Sequence, residues 1–245
     1  MPLSPSRQSS DTPRGTVAAP AFVRLQRGRQ ASSQVYDLLR EAIIDLSLPP
    51  GCALSRPELA TRFGISSTPL RDALMRLEED GLVDVFPQHA TFVSRIDLQR
   101  VHQAHFMRLA IELEVVGTVA DAQGAATITR LRGLLARQRA MQQLGDTDGF
   151  SDADHAFHLA LFETANVPEL WSLVRGQSGH LDRLRRLHLP APGKVDSIVL
   201  DHTAIVDALA SGDGKTAQDS MRRHLAGTVA NVDEIRKEFP DYIRP

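Results

Sequence analysis

The chain of 245 residues has a single cysteine, Cys52, and this scarcity excludes an internal disulfide framework. One thiol is typical of a protein from a reducing compartment, and we expect Cys52 to be a small buried residue. No apolar run approaches the roughly 20 residues that a membrane-spanning helix requires. The N-terminus also lacks the layout of a secretory signal peptide. These absences predict a cytoplasmic location.

A strong net charge is missing as well. The formal net charge is −2, so the molecule as a whole is no general binder of polyanions, and any nucleic-acid surface must be local. The sequence also contains no glycine-rich phosphate loop, no GxSxG nucleophile elbow and no CxxC pair. The usual sequence evidence for a nucleotide-binding, serine-hydrolase or thiol-redox site is therefore absent.

The stretch 34–94 has the pattern of a winged helix-turn-helix. Its first helix, QVYDLLREAIIDL, places apolar residues on one face. Ser55 and Glu58 have the spacing of a capping box at the start of the short helix ELATRF. Ser66 is positioned to cap the next helix, STPLRDALMRLEEDG, and the segments LVDVF and TFVSRI predict a two-stranded wing.

The second half of the chain has a helical pattern almost throughout. We predict six helices, at about 97–122, 126–144, 149–165, 168–188, 194–211 and 215–237. Their connections are short, which is typical of antiparallel neighbours in a bundle. The fold class is therefore mainly α, with an N-terminal winged helix-turn-helix followed by an all-α antiparallel helical bundle.

These patterns divide the chain into four segments. We expect a disordered basic arm at 1–30, the winged helix-turn-helix domain at 31–96, the all-helical domain at 97–238 and a tail at 239–245. The arm contains five arginines against one aspartate. It is either a solubilising tail or a basic arm that lies along DNA phosphates, and the sequence leaves both interpretations open.

The helix that opens at Ser66 is expected to enter the major groove of DNA with its N-terminal residues at base edges. Among them, Arg71 has the side chain for a bidentate contact with guanine. Arginines outside this end of the helix are better placed to contact phosphates, which position a protein without specifying sequence. The expected base-edge residues are Ser66, Ser67, Thr68 and Arg71, and the expected phosphate contacts include Arg56 and Arg76.

Four residues of the helical half have the spacing of a metal site. Asp154 and His158 are four apart, so both project from one face of one helix. His202 and His224 each lie 11 residues from Asp213, and an antiparallel hairpin would bring their imidazoles level. One carboxylate and three imidazoles suit Zn, Mn, Ni or Fe. The alternative is a coincidence of surface and core histidines.

The segment LPPGCALSRPELATRFGISSTPLRDALMRLEEDGLV resembles the N-terminal domain of the GntR family of bacterial transcription regulators. The similarity spans nearly all of 34–96, but it departs from the family pattern at three places. Pro57 and Ser67 stand where arginines are common, and the wing has His89-Ala90 where a basic residue followed by glycine is common. The operator sequence of a relative therefore does not transfer, and Arg56, the basic arm or His89 are the candidates to compensate.

Residues 100–235 resemble the effector-binding FCD domain of the FadR-type branch of this family, through RLAIELE, DADHAFHLALFETANVPEL and DHTAIVDALASGDGKTAQDSMRRHL. The resemblance implies that a divalent metal is bound by Asp154, His158, His202 and His224. It also implies that Arg108 faces the effector cavity, while we expect Glu112 to be its exposed partner four residues on. Members that respond to fatty acyl-CoA lack this ligand set, which argues against an acyl-CoA effector.

We therefore expect a ligand-responsive transcription regulator, most often a repressor in this family, that binds a short pseudo-palindromic DNA operator as a homodimer. The resemblance implies a small organic or sugar acid as effector, held by the metal and the Arg108 fork. One alternative is a constitutive DNA-binding protein with a purely structural metal. A metal-dependent hydrolase is a weaker alternative, because the sequence places no further carboxylate as general base.

Overall fold

The computed structural model describes residues 25–26, 28–86, 90–122 and 124–245. Most of the expected basic arm and the wing residue His89 lie outside the described residues. The chain divides into two compact units, Met1–Arg95 and Ile96–Pro245. The described part of the chain is mainly helical and has one small sheet, in the first unit, which confirms the predicted fold class.

The described part of the first unit has three helices and a three-stranded antiparallel sheet of strand order β1-β3-β2. The elements, in chain order, are α1 (Ala31–Ile44), β1 (Ala53–Leu54), α2 (Arg56–Phe63), α3 (Ser67–Glu79), β2 (Val83–Val85) and β3 (Thr91–Val93). Strands β2 and β3 are the predicted wing, paired with Asp84 opposite Phe92. Strand β1 was not predicted, because two residues are too few to show an alternating pattern.

Local chemistry explains most of the element ends in this unit. Ser55 caps α2, where its side-chain oxygen accepts a hydrogen bond from the Glu58 N–H at 3.4 Å, and Gly64 ends that helix with a left-handed φ of 64°. Helix α1 ends at Ile44 rather than at the predicted Leu46, whose φ of 67° is incompatible with a right-handed helix. Ser66 occupies the N-cap position of α3, but its side chain makes no capping hydrogen bond.

Eight helices form the described part of the second unit, where the sequence predicted six. They are α4 (Leu98–Ala122), α5 (Ala125–Leu144), α6 (Thr147–Thr164), α7 (Pro168–Gln177), α8 (Gly179–His188), α9 (Lys194–Ala210), α10 (Gly214–Val229) and α11 (Val232–Glu238). None of the helices in the described ranges is long and apolar enough to cross a membrane.

Two of the predicted helices were wrong as single elements, because each is divided in two in the structure. Ser178 separates α7 from α8, and its hydroxyl donates to the Val174 carbonyl at 2.6 Å. Asn231 separates α10 from α11, and its amide donates to the Gly227 carbonyl at 2.8 Å. The periodic apolar pattern continues across both breaks, so periodicity alone does not reveal them.

The core of the second unit lies among α4, α6, α9 and α10. Helix α10 packs against both α4 and α9, and α5 packs against α6. The apolar core includes Val116, Phe157, Ile205 and Met221, all fully or almost fully buried. This packing aims the inward faces of α6, α9 and α10 at one another, which positions the candidate metal ligands.

Candidate DNA-reading face and metal centre

Helix α3 has the two faces that a recognition helix needs. Its inner face is anchored in the core of the first unit by Leu70 and Leu77, which are buried. The residues predicted to read bases, Ser66, Ser67, Thr68 and Arg71, are all exposed. The Arg71 side chain is 70% exposed, and among the described residues its one ion pair is a long 3.9 Å contact with Asp72, so its guanidinium is available to a ligand.

The expected phosphate contacts, Arg56 and Arg76, are exposed but held against the surface of their own unit. Arg56 Nε donates to the Thr91 hydroxyl at 3.1 Å. The guanidinium of Arg76 lies 3.9 Å from the centre of the Tyr36 ring, and the Tyr36 hydroxyl donates to Asp80. Such contacts restrict the two arginines, and their role at phosphates stays a prediction.

The structure brings together all four residues whose spacing predicted a metal site. Helix α6 supplies Asp154 and His158, α9 supplies His202 and α10 supplies His224. All four side chains are buried, and one ligand atom from each lies within 4.8 Å of the others. The hairpin of α9 and α10 does place His202 and His224 at the same level, since their Nε2 atoms are 3.2 Å apart.

The distances in this cluster fit a metal ion. His158 Nε2 is also 3.2 Å from His224 Nε2, and Asp154 Oδ1 is 3.7 Å from His202 Nε2. Two imidazole nitrogens bound to a tetrahedral zinc at 2.0–2.1 Å would be about 3.3 Å apart. Asp154 Oδ1 is buried without a hydrogen-bond partner among the described residues, which is unfavourable unless a cation occupies the centre.

Two of the three imidazoles have an acceptor oxygen beside Nδ1, so that Nε2 is the nitrogen that faces the other candidate ligands. The Oε1 atom of Gln138, an acceptor, lies 2.8 Å from Nδ1 of His202. Glu112 Oε2 lies 2.6 Å from Nδ1 of His158, close enough for a hydrogen bond although not aligned for a linear one. An acceptor at Nδ1 favours the proton there and leaves the Nε2 lone pair free, as a metal ligand requires.

Burial and neighbouring charges set the ionisation states of the candidate metal ligands. Burial lowers the pKa of His202 to about 3 and lowers that of His224 well below its ordinary value, so both are neutral at pH 7. Burial alone would raise the pKa of Asp154, but the guanidinium of Arg185, 2.7 Å away, outweighs it and holds the pKa well below its usual range. The centre therefore presents one carboxylate and, at His202 and His224, neutral imidazoles, the ionisation states that divalent metals require.

A basic pocket opens beside the cluster. It contains about 350 Å³ of space not filled by atoms, part of which is open to solvent. Its lining contains the cations Arg108, Arg185 and Lys194 and the imidazoles of His105 and His224, and the rest of the lining is apolar apart from Thr228. Because His224 belongs to both the pocket and the cluster, a ligand in this pocket would lie next to the candidate metal centre.

The prediction for Glu112 was wrong, because this residue is 1% exposed rather than a solvated partner of Arg108. Its Oε1 atom accepts a 2.6 Å hydrogen bond from Arg108 Nε. Burial by itself raises the pKa of Glu112, but Arg108 and His158 outweigh it and hold the pKa at about 2. The signal was present, since Val101, Arg108, Glu112 and Val115 recur at the spacing of one buried helical stripe.

Other residues around the centre were not found from the sequence. Gln138 lies on α5, Arg185 on α8 and Lys194 at the start of α9, and only packing brings these helices to the ligands. The indole of Trp171 stacks on the His158 ring, with ring centres 5.8 Å apart and planes 8° from parallel. The sequence around a polar or aromatic residue on one helix does not indicate which residue of another helix it will contact.

The fold and the sites define a two-unit protein, in which a helix-turn-helix that can read DNA is joined to a helical unit with a candidate ligand centre. Residues 31–93 match the profile of the bacterial regulatory proteins of the gntR family, and residues 103–227 match the FCD domain. The chain belongs to the GntR family of bacterial transcription regulators, in the group with an FCD domain, which confirms the resemblance seen in the sequence. Family members bind DNA operators and typically act as dimers.

Individual relatives agree with this assignment. A transcriptional regulator from an unstable DNA locus of Streptomyces ambofaciens is 37% identical over 214 residues, which span 87% of this chain and 90% of that protein. The transcriptional repressor RspR of Escherichia coli K12 is 28% identical over 219 residues, 89% and 96% of the two chains. A transcriptional regulator from Rhodococcus sp. RHA1 has the same fold, with a TM-score of 0.71 at 24% identity over 84% of this chain and 99% of that one.

Proposed function

We propose that this regulator is a repressor whose affinity for DNA is controlled by a small organic or sugar acid bound at a metal centre of its second unit. The observation that supports this most strongly is the buried cluster of Asp154, His158, His202 and His224. A carboxylate and three imidazoles form a ligand set for Zn, Mn, Ni or Fe, which would supply a Lewis-acid position for an anionic ligand.

The basic pocket supports the second half of the proposal. Arg108 Nη2 is buried without a hydrogen-bond partner among the described residues, and a buried guanidinium donor of this kind is suited to a carboxylate. Lys194 adds a cation whose pKa burial and the nearby Arg185 lower from the usual value. The pocket thus combines positive charge with apolar walls, as expected of a site for a small organic anion.

DNA recognition is assigned to α3. We propose that Ser66, Ser67, Thr68 and Arg71 contact base edges, and that Arg56 and Arg76 contact phosphates. We further propose that the protein acts as a homodimer on a short pseudo-palindrome, because operator symmetry reflects the symmetry of the protein that binds it. An acid shifts the equilibrium between DNA-binding and released states only by binding one state more tightly than the other.

The deciding experiment measures operator binding with and without small acids, using DNA selected from a random pool by the purified protein. Chelator-stripped and metal-reloaded protein are compared, with acetate, succinate, citrate and gluconate as probes. We expect at least one acid to release the DNA, and to do so much less effectively after metal removal. Release by none of these acids, with metal bound, would favour a constitutive regulator whose metal is structural.

The variant His224→Ala tests the metal centre itself. Loss of one of four ligands should lower metal content and thermal stability together, since metal binding contributes to the free energy of folding. It should leave DNA binding without acid nearly unchanged, because His224 lies in the second unit. The control is His102→Ala, which removes an exposed histidine. Full metal occupancy in His224→Ala would remove His224 from the ligand set.

A further inference from the structure

Glu112 occupies an unusual position in the middle of α4. It is almost completely buried, and its two carboxylate oxygens face two different partners. Oε1 accepts from Arg108 Nε at 2.6 Å, and Oε2 lies 2.6 Å from His158 Nδ1. Arg108 lines the basic pocket, whereas His158 belongs to the metal cluster. One side chain therefore joins the two halves of the proposed effector site.

A carboxylate is the side chain that this arrangement requires. An arginine Nε–H is always a donor, and His158 must donate from Nδ1 if its Nε2 lone pair is to point at the cluster. Two donors that converge from opposite sides need two acceptors on one group. A glutamine would offer one acceptor and one donor, so it could satisfy Arg108 or His158 but not both.

We propose that Glu112 is a positioning residue that holds the proton of His158 on Nδ1 and couples this imidazole to Arg108. The inference deepens the proposed function and rests on its metal centre. An anion bound to Arg108 would draw the guanidinium away from Glu112 and leave more of the carboxylate's charge to His158. Metal and acid would then bind with positive cooperativity, and each would raise the protein's affinity for the other by the same factor.

The first measurement is zinc affinity, by competition with a chromophoric chelator on the full-length chain. Replacement of a group that orients a metal-ligating histidine typically costs 10–100-fold in metal affinity, and we expect a loss in this range for Glu112→Gln. The matched control is Glu163→Gln, which makes the same change in a carboxylate that pairs with Arg130 away from the cluster. Affinity within about twofold of wild type in Glu112→Gln would overturn the proposal.

The second measurement separates positioning from a merely structural role. The ¹⁵N shifts of labelled histidine in the metal-free chain should show His158 protonated at Nδ1, and Glu112→Gln should move part of that proton to Nε2. An unchanged tautomer would contradict the proposal even if zinc affinity fell. If wild-type protein binds no zinc, the metal centre fails, while the tautomer still decides the role of Glu112.

A double-mutant cycle tests the coupling to Arg108. Arg108→Gln, Glu112→Gln and the double variant are compared for zinc affinity, and the two effects should not multiply. The double variant replaces a buried ion pair with two neutral amides, so it leaves no buried charge without its partner, as each single variant does. Independent, multiplicative effects would show that Arg108 and Glu112 act separately.

Discussion

His224 shows how much a single residue can connect in this protein. Its Nε2 atom lies 3.2 Å from Nε2 of both His158 and His202, and its side chain also lines the basic pocket. Its Nδ1 atom is buried without a hydrogen-bond partner among the described residues. His224 is thus the imidazole of the cluster whose orientation neighbouring side chains restrict least. A ligand in the pocket would contact it directly, and could therefore change its orientation.

In the first unit, Arg71 is the residue on which base recognition is expected to depend most. Arg71→Ala should weaken operator binding by about 1–3 kcal/mol and relax base preference, because it removes a contact to base edges. Binding is measured on the selected operator and on a scrambled sequence. Arg236→Ala, which removes an equal charge from an exposed position in the second unit, serves as control. Equal losses on both DNAs would show that Arg71 contacts only phosphates.

At the scale of elements, the C-terminal segment is more than the tail that the sequence suggested. Ile243 is 2% exposed and forms a parallel bridge with Ile96, the first residue of the second unit. Ile96 N–H donates to the Tyr242 carbonyl at 2.7 Å, and Arg244 N–H donates to the Ile96 carbonyl at 2.8 Å. Both ends of the second unit are therefore tied together just where α4 begins.

Deleting residues 241–245 should lower the free energy of unfolding of the second unit by about 2–4 kcal/mol. The loss combines burial of one isoleucine, about 1.5–3 kcal/mol, with two backbone hydrogen bonds of about 1 kcal/mol each, less the entropy regained by the freed segment. Urea unfolding is followed by the fluorescence of Trp171, the one tryptophan of the chain. Deletion of Pro245 alone is the control, and an equal midpoint in both deletions would show that the bridge contributes nothing.

For the whole molecule, buried histidines link stability to pH. Burial lowers the pKa of His155 to about 4, and burial with the Arg183 charge lowers that of His180 to about 3. His155 is half-buried and receives a 3.0 Å contact from Arg175. The unfolded chain binds protons below pH 6.5 at these positions, whereas the folded chain binds them only below about pH 4 at His155 and about pH 3 at His180. Stability therefore falls as pH falls below 6.5.

The variant His180→Gln should reduce this pH dependence. His180 Nδ1 lies 3.0 Å from the Asp97 N–H, and a glutamine oxygen can accept the same hydrogen bond without binding a proton. The slope of unfolding free energy against pH between 5 and 6.5 should become shallower by up to about 1.4 kcal/mol per pH unit. Urea unfolding at several pH values measures it, with His102→Gln at an exposed position as control. An unchanged slope would show that His180 is already protonated in the folded state.

By itself, the sequence determined what depends on local spacing. The apolar period placed Leu70 and Leu77 of α3 inward, which left Arg71 exposed at its outer face. A separation of four residues placed Asp154 and His158 on one helical face, and equal distances from Asp213 brought His202 and His224 level across the hairpin. These features follow from helix geometry, which any short segment obeys whatever surrounds it.

Only the tertiary structure decided which helices meet at those faces. Glu112 and Gln138 lie on α4 and α5, and the packing of these helices, not their own sequences, brings them to Nδ1 of His158 and His202. The breaks between α7 and α8 and between α10 and α11, and the two-residue strand β1, are also features that no periodic pattern records. Periodicity gives the direction of a side chain relative to its own helix, while its partner is set by the packing of side chains far apart in sequence.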